Sequence, residues 1–224
     1  MLILGIDDSG RGPIIGPMIL AGCLINNDIE KKFKELGVRD SKTLIPKKRE
    51  YLAKIIKEKA IDYKVSVTYP EEIDGKTNSG INLNRIEAIK AAEIINKINF
   101  KLNEKIKVVV DCPSPNIEKW TNTLNSYVKD SSNLSISCEH KADKNHIAVS
   151  AASILAKSRR EEEIEKIKKQ IGKDFGSGYT SDPITQKFLE DYSHEHKKDG
   201  IFRETWATWK NLKGKKEQKK LMEF

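Results

Sequence analysis

The chain begins with two apolar, strand-like runs joined by a loop that is too rich in glycine and proline to form a helix. The runs are residues 1–7 and Met18–Ile25, and the loop between them reads GRGPIIGP. They are close enough in sequence to form a hairpin. A dinucleotide-binding turn needs GxGxxG followed by a helix, whereas this loop spaces its last glycine one residue too far and its prolines oppose a helix. The sequence therefore predicts a sheet that starts antiparallel.

The rest of the chain alternates between helical and strand-like patterns. Helical spacing covers residues 28–36, 46–60, 83–102, 117–128 and 147–171, and strand-like runs cover residues 63–69, 106–111 and 134–140. Two further helical stretches follow a loop at residues 176–183. Strands that alternate with helices add to a sheet in parallel, through helical crossovers. The order predicts an α/β fold with a mixed sheet flanked by helices.

The charge of the chain points to an anionic partner. Its 224 residues carry a formal net charge of +8 and give a pI near 9.2. Nucleic acid is the usual partner of such a protein, because Lys and Arg release counterions from its backbone on binding. A lysine-rich surface that only keeps the protein in solution is the alternative.

Cysteine usage and the lack of long apolar runs indicate a cytoplasmic protein. The three cysteines are far apart in sequence and form no CxxC pair, which argues against a disulfide framework and a structural zinc site. No apolar run approaches the ~18 residues that a membrane-spanning helix needs.

Acidic residues follow three of the predicted strands. Asp7 ends the first strand and is followed by Asp8, Asp111 ends the run IKVVVD, and Asp143 follows the run LSISCEH. Carboxylates at the ends of neighbouring strands converge at one edge of an α/β sheet. Crowded acids raise one another's pKa, and a bound Mg²⁺ ion, which prefers oxygen ligands, offsets that cost. The pattern indicates two-metal phosphodiester hydrolysis, although any single Asp could be a turn former or a helix cap.

Seven motifs occur in the order seen in type 2 ribonuclease H. They are GIDDSGRGPIIGPM, VRDSK, VVVDCP, EHKAD, SAASILAK, GSGYTSDP and RETWAT. The sequence is similar to archaeal ribonuclease HII from about residue 3 to residue 209. The resemblance implies a ribonuclease H-like catalytic domain over residues 1–185, followed by a small helical C-terminal region with a basic tail over residues 186–224.

The resemblance also implies an activity and its cofactors. The family's endoribonucleases hydrolyse the RNA strand of RNA/DNA hybrids and cut on the 5′ side of a single ribonucleotide embedded in duplex DNA. Four acids hold two Mg²⁺ or Mn²⁺ ions, and the products carry 5′-phosphate and 3′-hydroxyl ends. In this sequence the four acids match Asp7, Asp8, Asp111 and Asp143.

The second of these acids departs from the family pattern. The family has Glu after the first Asp, whereas this chain has Asp8. Adjacent residues of a strand point to opposite faces, so the second acid has to curl round where the strand ends. A side chain shorter by one methylene draws its oxygens back by ~1–1.5 Å, while Mg²⁺ tolerates little error in ligand distance. We expect Asp8 to act through a bound water, with reduced activity or with Mn²⁺ favoured over Mg²⁺.

Substrate-binding residues are likewise implied by the resemblance. The family reads the ribose 2′-hydroxyl largely through backbone groups of the stretch that matches Gly10, Arg11 and Gly12. Tyr179 would pack on the sugar next to the cut. Lys42 would contact a backbone phosphate, with an ordinary surface lysine as the alternative.

The C-terminal tail resembles a sliding-clamp-binding box. Gln218, Leu221 and Phe224 are spaced three apart, which aligns them along a 3₁₀ turn. Only one of the two aromatic residues usual in such a box is present. A frayed basic tail that contacts DNA is the alternative.

Two other functions remain open at this point. A junction resolvase or integrase would keep the fold and change the substrate, although those enzymes lack the GRG and SGY sequences. A module that binds RNA/DNA hybrids without cutting them is the second alternative, because of Asp8. We expect a monomer in either case.

Overall fold

The computed structural model describes residues 1–39, 44–100 and 102–212 and contains a five-stranded mixed sheet. The strands are β1 (Leu2–Ser9), β2 (Met18–Ile25), β3 (Asp62–Thr68), β4 (Ile106–Asp111) and β5 (Leu134–Glu139). Their order in the sheet is β3-β2-β1-β4-β5. β2 is antiparallel to β1, whereas β4 is parallel to β1 and β5 is parallel to β4. The predicted hairpin, parallel additions and fold class are confirmed.

The described residues also form α-helices. They are α1 (Asn27–Glu35), α2 (Pro46–Lys59), α3 (Pro70–Asn78), α4 (Leu83–Asn99), α5 (Ile117–Asn125), α6 (Ala142–Asn145), α7 (Ile147–Ile171) and α8 (Pro183–Tyr192). A 3₁₀ turn follows at Lys197–Asp199, and residues 207–212 are helical. Among the described residues, no helix is both long enough and apolar enough to cross a membrane.

The sheet is packed tightly between α4 and α7. A Cβ atom at Gly5 of β1 would collide with the backbone of Ala148 in α7. A Cβ atom at Gly22 of β2, which pairs with Ile6, would collide with Ile94 of α4. Gly5 and Ile6 are neighbours in the strand and face opposite sides of the sheet, so the two helices lie against opposite faces. The absence of side chains at the two glycines lets both helices approach the central strands.

α4 and α5 end three residues earlier than expected and α6 was not expected, and two further differences bear on the site. β1 continues two residues past Asp7, because Asp8 and Ser9 still pair with Leu20 and Ile19 of β2. α3 was not expected, since its sequence PEEIDGKTN buries only Pro70 and Ile73 and has no clear apolar period.

The chain forms two compact units. Within the described residues, the first unit contains Met1–Ser9, Ile19–Val67 and Asn82–Arg160, and the second contains Gly10–Met18, Thr68–Ile81 and residues 161–212. The first unit holds the sheet, and the second has an aromatic core that includes Phe175, Phe188, Phe202 and Trp209. The domain boundary at residue 185 stays a prediction.

Candidate active site

Three of the predicted aspartates lie at one edge of the sheet in the first unit. Ile6 and Val110 are the last paired residues of β1 and β4, so Asp7 and Asp111 are the next residues on the two strands. Asp7, Asp8 and Asp111 line one small cavity of about 10 Å³. Asp8 therefore reaches the same cavity as Asp7 although β1 runs on to Ser9.

The pKa of Asp7 is strongly perturbed in this cavity. Its side chain is buried, with an exposed fraction of 6%. Burial raises the pKa of Asp7 well above its usual range, and the carboxylates of Asp8 and Asp111 raise it further. A hydrogen bond from Ser153 and one from the Asp8 amide to Oδ1, at 2.7 Å, oppose this rise in the pKa. A carboxyl group crowded in this way is stabilised in its charged form by a cation.

Asp143 belongs to the short helix α6 that follows β5. Of the four predicted aspartates, all of which lie in the described chain, it is the one that does not line this cavity. The amide of Ala142 donates to Asp111 Oδ1 at 3.0 Å, which ties α6 to the end of β4. Lys141 permits this turn by adopting a left-handed conformation with φ of 59°. Asp143 is buried, and its backbone carbonyl accepts a hydrogen bond from Ser150 Oγ.

The residues at this edge fit a hard divalent cation by their chemistry. Asp7, Asp8 and Asp111 offer only carboxylate oxygens, the ligands that Mg²⁺ and Mn²⁺ prefer. Within the described residues, no group of three or more His, Cys, Asp or Glu side chains has the spacing to hold one metal ion. Because Mg²⁺ usually keeps several water ligands, two or three carboxylates at one edge match its needs in type, and bound water completes the set.

The glycine loop of residues 10–16 is held from within the second unit by one buried arginine. Arg203 is fully buried, and its guanidinium donates to the carbonyls of Gly10 at 2.6 Å and Arg11 at 2.7 Å. It also donates to the Gly16 carbonyl, from Nη2 at 2.9 Å and from Nε at 3.1 Å. Gly10 and Gly16 have φ of 80° and 87°, values that glycine adopts without strain. One side chain therefore fixes both ends of the loop.

Residues next to Arg203 complete this support. Trp206 Nε1 donates to the Gly12 carbonyl at 3.3 Å, and the Arg203 guanidinium lies 5.0 Å from the centre of the Trp206 ring. Asp74 of α3 accepts hydrogen bonds from the amides of Glu204 at 2.6 Å and Thr205 at 3.1 Å. The sequence marks RETWAT as a motif but gives it no role in the site. The carbonyls that Arg203 binds lie nearly the whole chain away from this motif, so no local sequence pattern shows the contact.

The structure brings Tyr179 and Gly12 together. A Cβ atom at Gly12 would lie 3.6 Å from Cε1 of Tyr179, whose side chain is partly exposed. The carbonyl of Gly178 accepts from the amides of Ile14 at 2.9 Å and Ile15 at 3.3 Å. Gly178 has φ of 81°, and a Cβ atom there would lie 2.8 Å from the Ile15 carbonyl oxygen, so only glycine suits this position. The GRG and SGY sequences thus form one joined pair of loops.

Four predicted site residues lie outside the described residues. They are Lys42, Gln218, Leu221 and Phe224.

Proteins of a known family match nearly the whole sequence. A family model described as Ribonuclease HII matches residues 4–209. The ribonuclease HII of Methanococcus maripaludis strain C5 is 43% identical over 100% of this chain and 92% of the relative. That of Methanocaldococcus jannaschii is 42% identical over 99% of each chain.

Solved structures of ribonucleases H2 and HII superpose on this chain. Ribonuclease H2 from Pyrococcus horikoshii OT3 superposes with a TM-score of 0.85 and 34% identity, over 96% of this chain and 98% of that one. The ribonuclease HII of Archaeoglobus fulgidus, solved as a complex with PCNA, gives 0.80 and 34% over 92% and 96%. Bst-RNase HIII, at 22% identity and a TM-score of 0.76, shares the fold. The chain belongs to the ribonuclease HII family, whose members are metal-dependent endoribonucleases that hydrolyse the RNA strand of RNA/DNA hybrids.

Proposed function

We propose that this protein also cuts on the 5′ side of single ribonucleotides embedded in duplex DNA, and that it does so by two-metal-ion hydrolysis. The observation that carries the mechanism is that Asp7, Asp8 and Asp111 line one small cavity at the edge of the sheet, where burial and the other two carboxylates raise the pKa of Asp7. A crowded carboxylate group at the edge of a sheet favours binding of divalent cations.

The four aspartates would hold the ions. Asp7, Asp8 and Asp111 share one cavity, and Asp143 lies one residue from the amide that binds Asp111. Bound Mg²⁺ or Mn²⁺ ions supply activation of a water molecule and stabilisation of the charge that develops on the phosphate. The protein's own part is to orient these carboxylates, so that hydrolysis leaves a 3′-hydroxyl and a 5′-phosphate.

Recognition of the ribose belongs to the glycine loop in this proposal. Gly10, Arg11 and Gly12 read the 2′-hydroxyl through backbone groups, and Tyr179 packs on the sugar. Arg203 supports this role, because a loop whose carbonyls are already bonded pays little ordering entropy when substrate arrives. We assign a phosphate contact to Lys42.

The family likeness also supports a partner and a cellular role. A relative from Archaeoglobus fulgidus was solved in complex with PCNA. We propose that Gln218, Leu221 and Phe224 bind the sliding clamp, and that the protein works in the cytoplasm in DNA replication and ribonucleotide excision repair. Deletion of residues 218–224 should abolish clamp binding in a pull-down and leave cleavage of naked duplex unchanged. Equal clamp binding by the shortened chain would contradict this assignment.

End-group analysis of a cleaved substrate tests the hydrolytic mechanism. A duplex with one ribonucleotide is incubated with Mg²⁺ and with Mn²⁺, and the fragments are treated with a ligase that requires a 5′-phosphate and a 3′-hydroxyl. The proposal predicts fragments that religate, and no fragments with Asp111→Asn. A 2′,3′-cyclic phosphate, or equal cleavage by Asp111→Asn, would contradict the two-metal mechanism.

A further inference from the structure

A polar cleft of about 750 Å³ lies in the first unit where the starts of α4 and α5 meet. Four asparagines line it, together with hydroxyl groups, two cationic side chains and the single acid Glu118. No aliphatic side chain contributes to the described lining, and the rings of Trp120 and Tyr127 supply apolar surface. Its donors are those that bind an anion or a sugar.

The two cations of the cleft are exposed and available. Arg85 uses Nε to donate to Tyr127 Oη at 2.9 Å, and its guanidinium lies 5.9 Å from the centre of that ring. This contact holds the stem while the terminal nitrogens of Arg85 make no hydrogen bond within the described residues. Lys119 likewise has no ion pair in the described part of the chain. Because Glu118 is the single acid of the lining, Arg85 and Lys119 give the cleft a net positive charge.

The starts of two helices add to this positive potential. Asn82 caps α4 by accepting from the Arg85 amide at 3.0 Å, and Asn116 caps α5 by accepting from the Lys119 amide at 2.9 Å. The positive ends of both helix dipoles therefore open at the cleft, beside the two cationic side chains.

The cleft shares a lining residue with the small cavity that Asp7, Asp8 and Asp111 line. Trp120 lines both spaces, and its indole is 3% exposed. Its Nε1 donates to the Asn84 carbonyl at 3.0 Å, which fixes the ring between the two spaces. The cleft and the cavity lined by the three aspartates are therefore neighbours, with Trp120 common to both.

We propose that this cleft binds the sugar–phosphate backbone of the duplex substrate at nucleotides away from the cut. The inference rests on the proposed function, since it extends the substrate path from the carboxylate edge. Arg85 and Lys119 supply the charge for phosphate, and the asparagine amides supply donors for phosphate and sugar oxygens without reading sequence.

The test removes both cations and varies the length of the duplex. Arg85→Ala/Lys119→Ala is compared with Lys57→Ala/Lys59→Ala, which removes the same number of positive charges from α2. On a long duplex with one central ribonucleotide, the cleft variant should raise KM by about 5- to 30-fold with kcat unchanged, and reduce the slope of log Kd against log salt by about two. The increase should vanish on duplexes trimmed step by step towards the ribonucleotide, and the control should match the wild type.

Three outcomes would overturn the inference: an unchanged KM, an equal increase at every duplex length, or a loss confined to kcat. Fluorescence anisotropy with a labelled duplex and no divalent metal separates this inference from the proposed function. If the wild type fails to cut but the cleft variant still binds the long duplex more weakly than the control, the proposed function fails and the cleft assignment stands.

Discussion

At the scale of single residues, the site is governed by crowding of acids. Asp7 is buried against Asp8 and Asp111, and its pKa is raised mainly because burial penalises the charged form. A raised carboxyl pKa costs the folded state nothing below the pKa of the unfolded chain, about 3.9, and costs most above the folded pKa. The carboxyl group of Asp7 therefore destabilises the folded protein when no cation is bound.

Removing the charge of Asp7 should stabilise the metal-free protein. In buffer with a chelator, Asp7→Asn should raise the free energy of unfolding at pH 7, because the amide carries no charge that burial and the neighbouring carboxylates penalise. The gain should shrink as the pH falls and vanish below the unfolded pKa of about 3.9, where the wild-type side chain is protonated in both states. Urea unfolding across this pH range measures it. A loss of stability that is the same at every pH would contradict the assignment.

The short side chain of Asp8 is expected to affect how well the site binds Mg²⁺. If its shorter side chain limits Mg²⁺ binding, Asp8→Glu should increase the rate with Mg²⁺ by about tenfold, equivalent to ~1.4 kcal/mol, and narrow the gap between Mg²⁺ and Mn²⁺. Asp8→Asn serves as the control and should lower both rates. Equal wild-type rates with the two metals, and no gain from Asp8→Glu, would rule this explanation out.

At the scale of elements, local patterns allowed the sheet to be predicted but not the support of the glycine loop. β1, β2 and β4 are apolar runs whose ends are visible in the sequence, so their edge and its acids could be predicted. Arg203 and Gly10 are 193 residues apart, and nothing in either neighbourhood shows that they bond. α3 was missed for a related reason, because its role is to carry Asp74 to the Glu204 amide.

Arg203→Lys tests whether the loop is held in its working shape. A lysine ammonium cannot span the carbonyls of Gly10, Arg11 and Gly16, so the variant should lose about 2–4 kcal/mol of unfolding free energy. The variant should also lose ribose selectivity by tenfold or more, measured as the rate of cleavage at a ribonucleotide divided by the affinity for an all-DNA duplex. Arg49→Lys is the matched control, since Arg49 is another buried arginine that donates to a carbonyl, that of Leu44, at 2.7 Å. Equal ribose selectivity in both variants would show that Arg203 only stabilises the fold.

At the scale of the whole molecule, a positively charged chain carries a negatively charged site. The net charge of +8 attracts a polyanion, while Asp7, Asp8 and Asp111 repel its phosphates unless cations lie between them. Binding and cutting therefore place opposite demands on charge, and divalent ions reconcile them. This division explains why composition predicted the class of partner, whereas only the strand ends predicted the chemistry.

The most direct test of the central claim uses a labelled DNA duplex that carries one ribonucleotide, with Mg²⁺ and Mn²⁺ in parallel and an all-DNA duplex as control. We expect a cut on the 5′ side of the ribonucleotide that depends on a divalent cation and is absent from the all-DNA control. Tight binding of both duplexes with no cut in either metal would contradict it, and would mean that the four aspartates form no working site and that the protein binds its substrate without hydrolysing it.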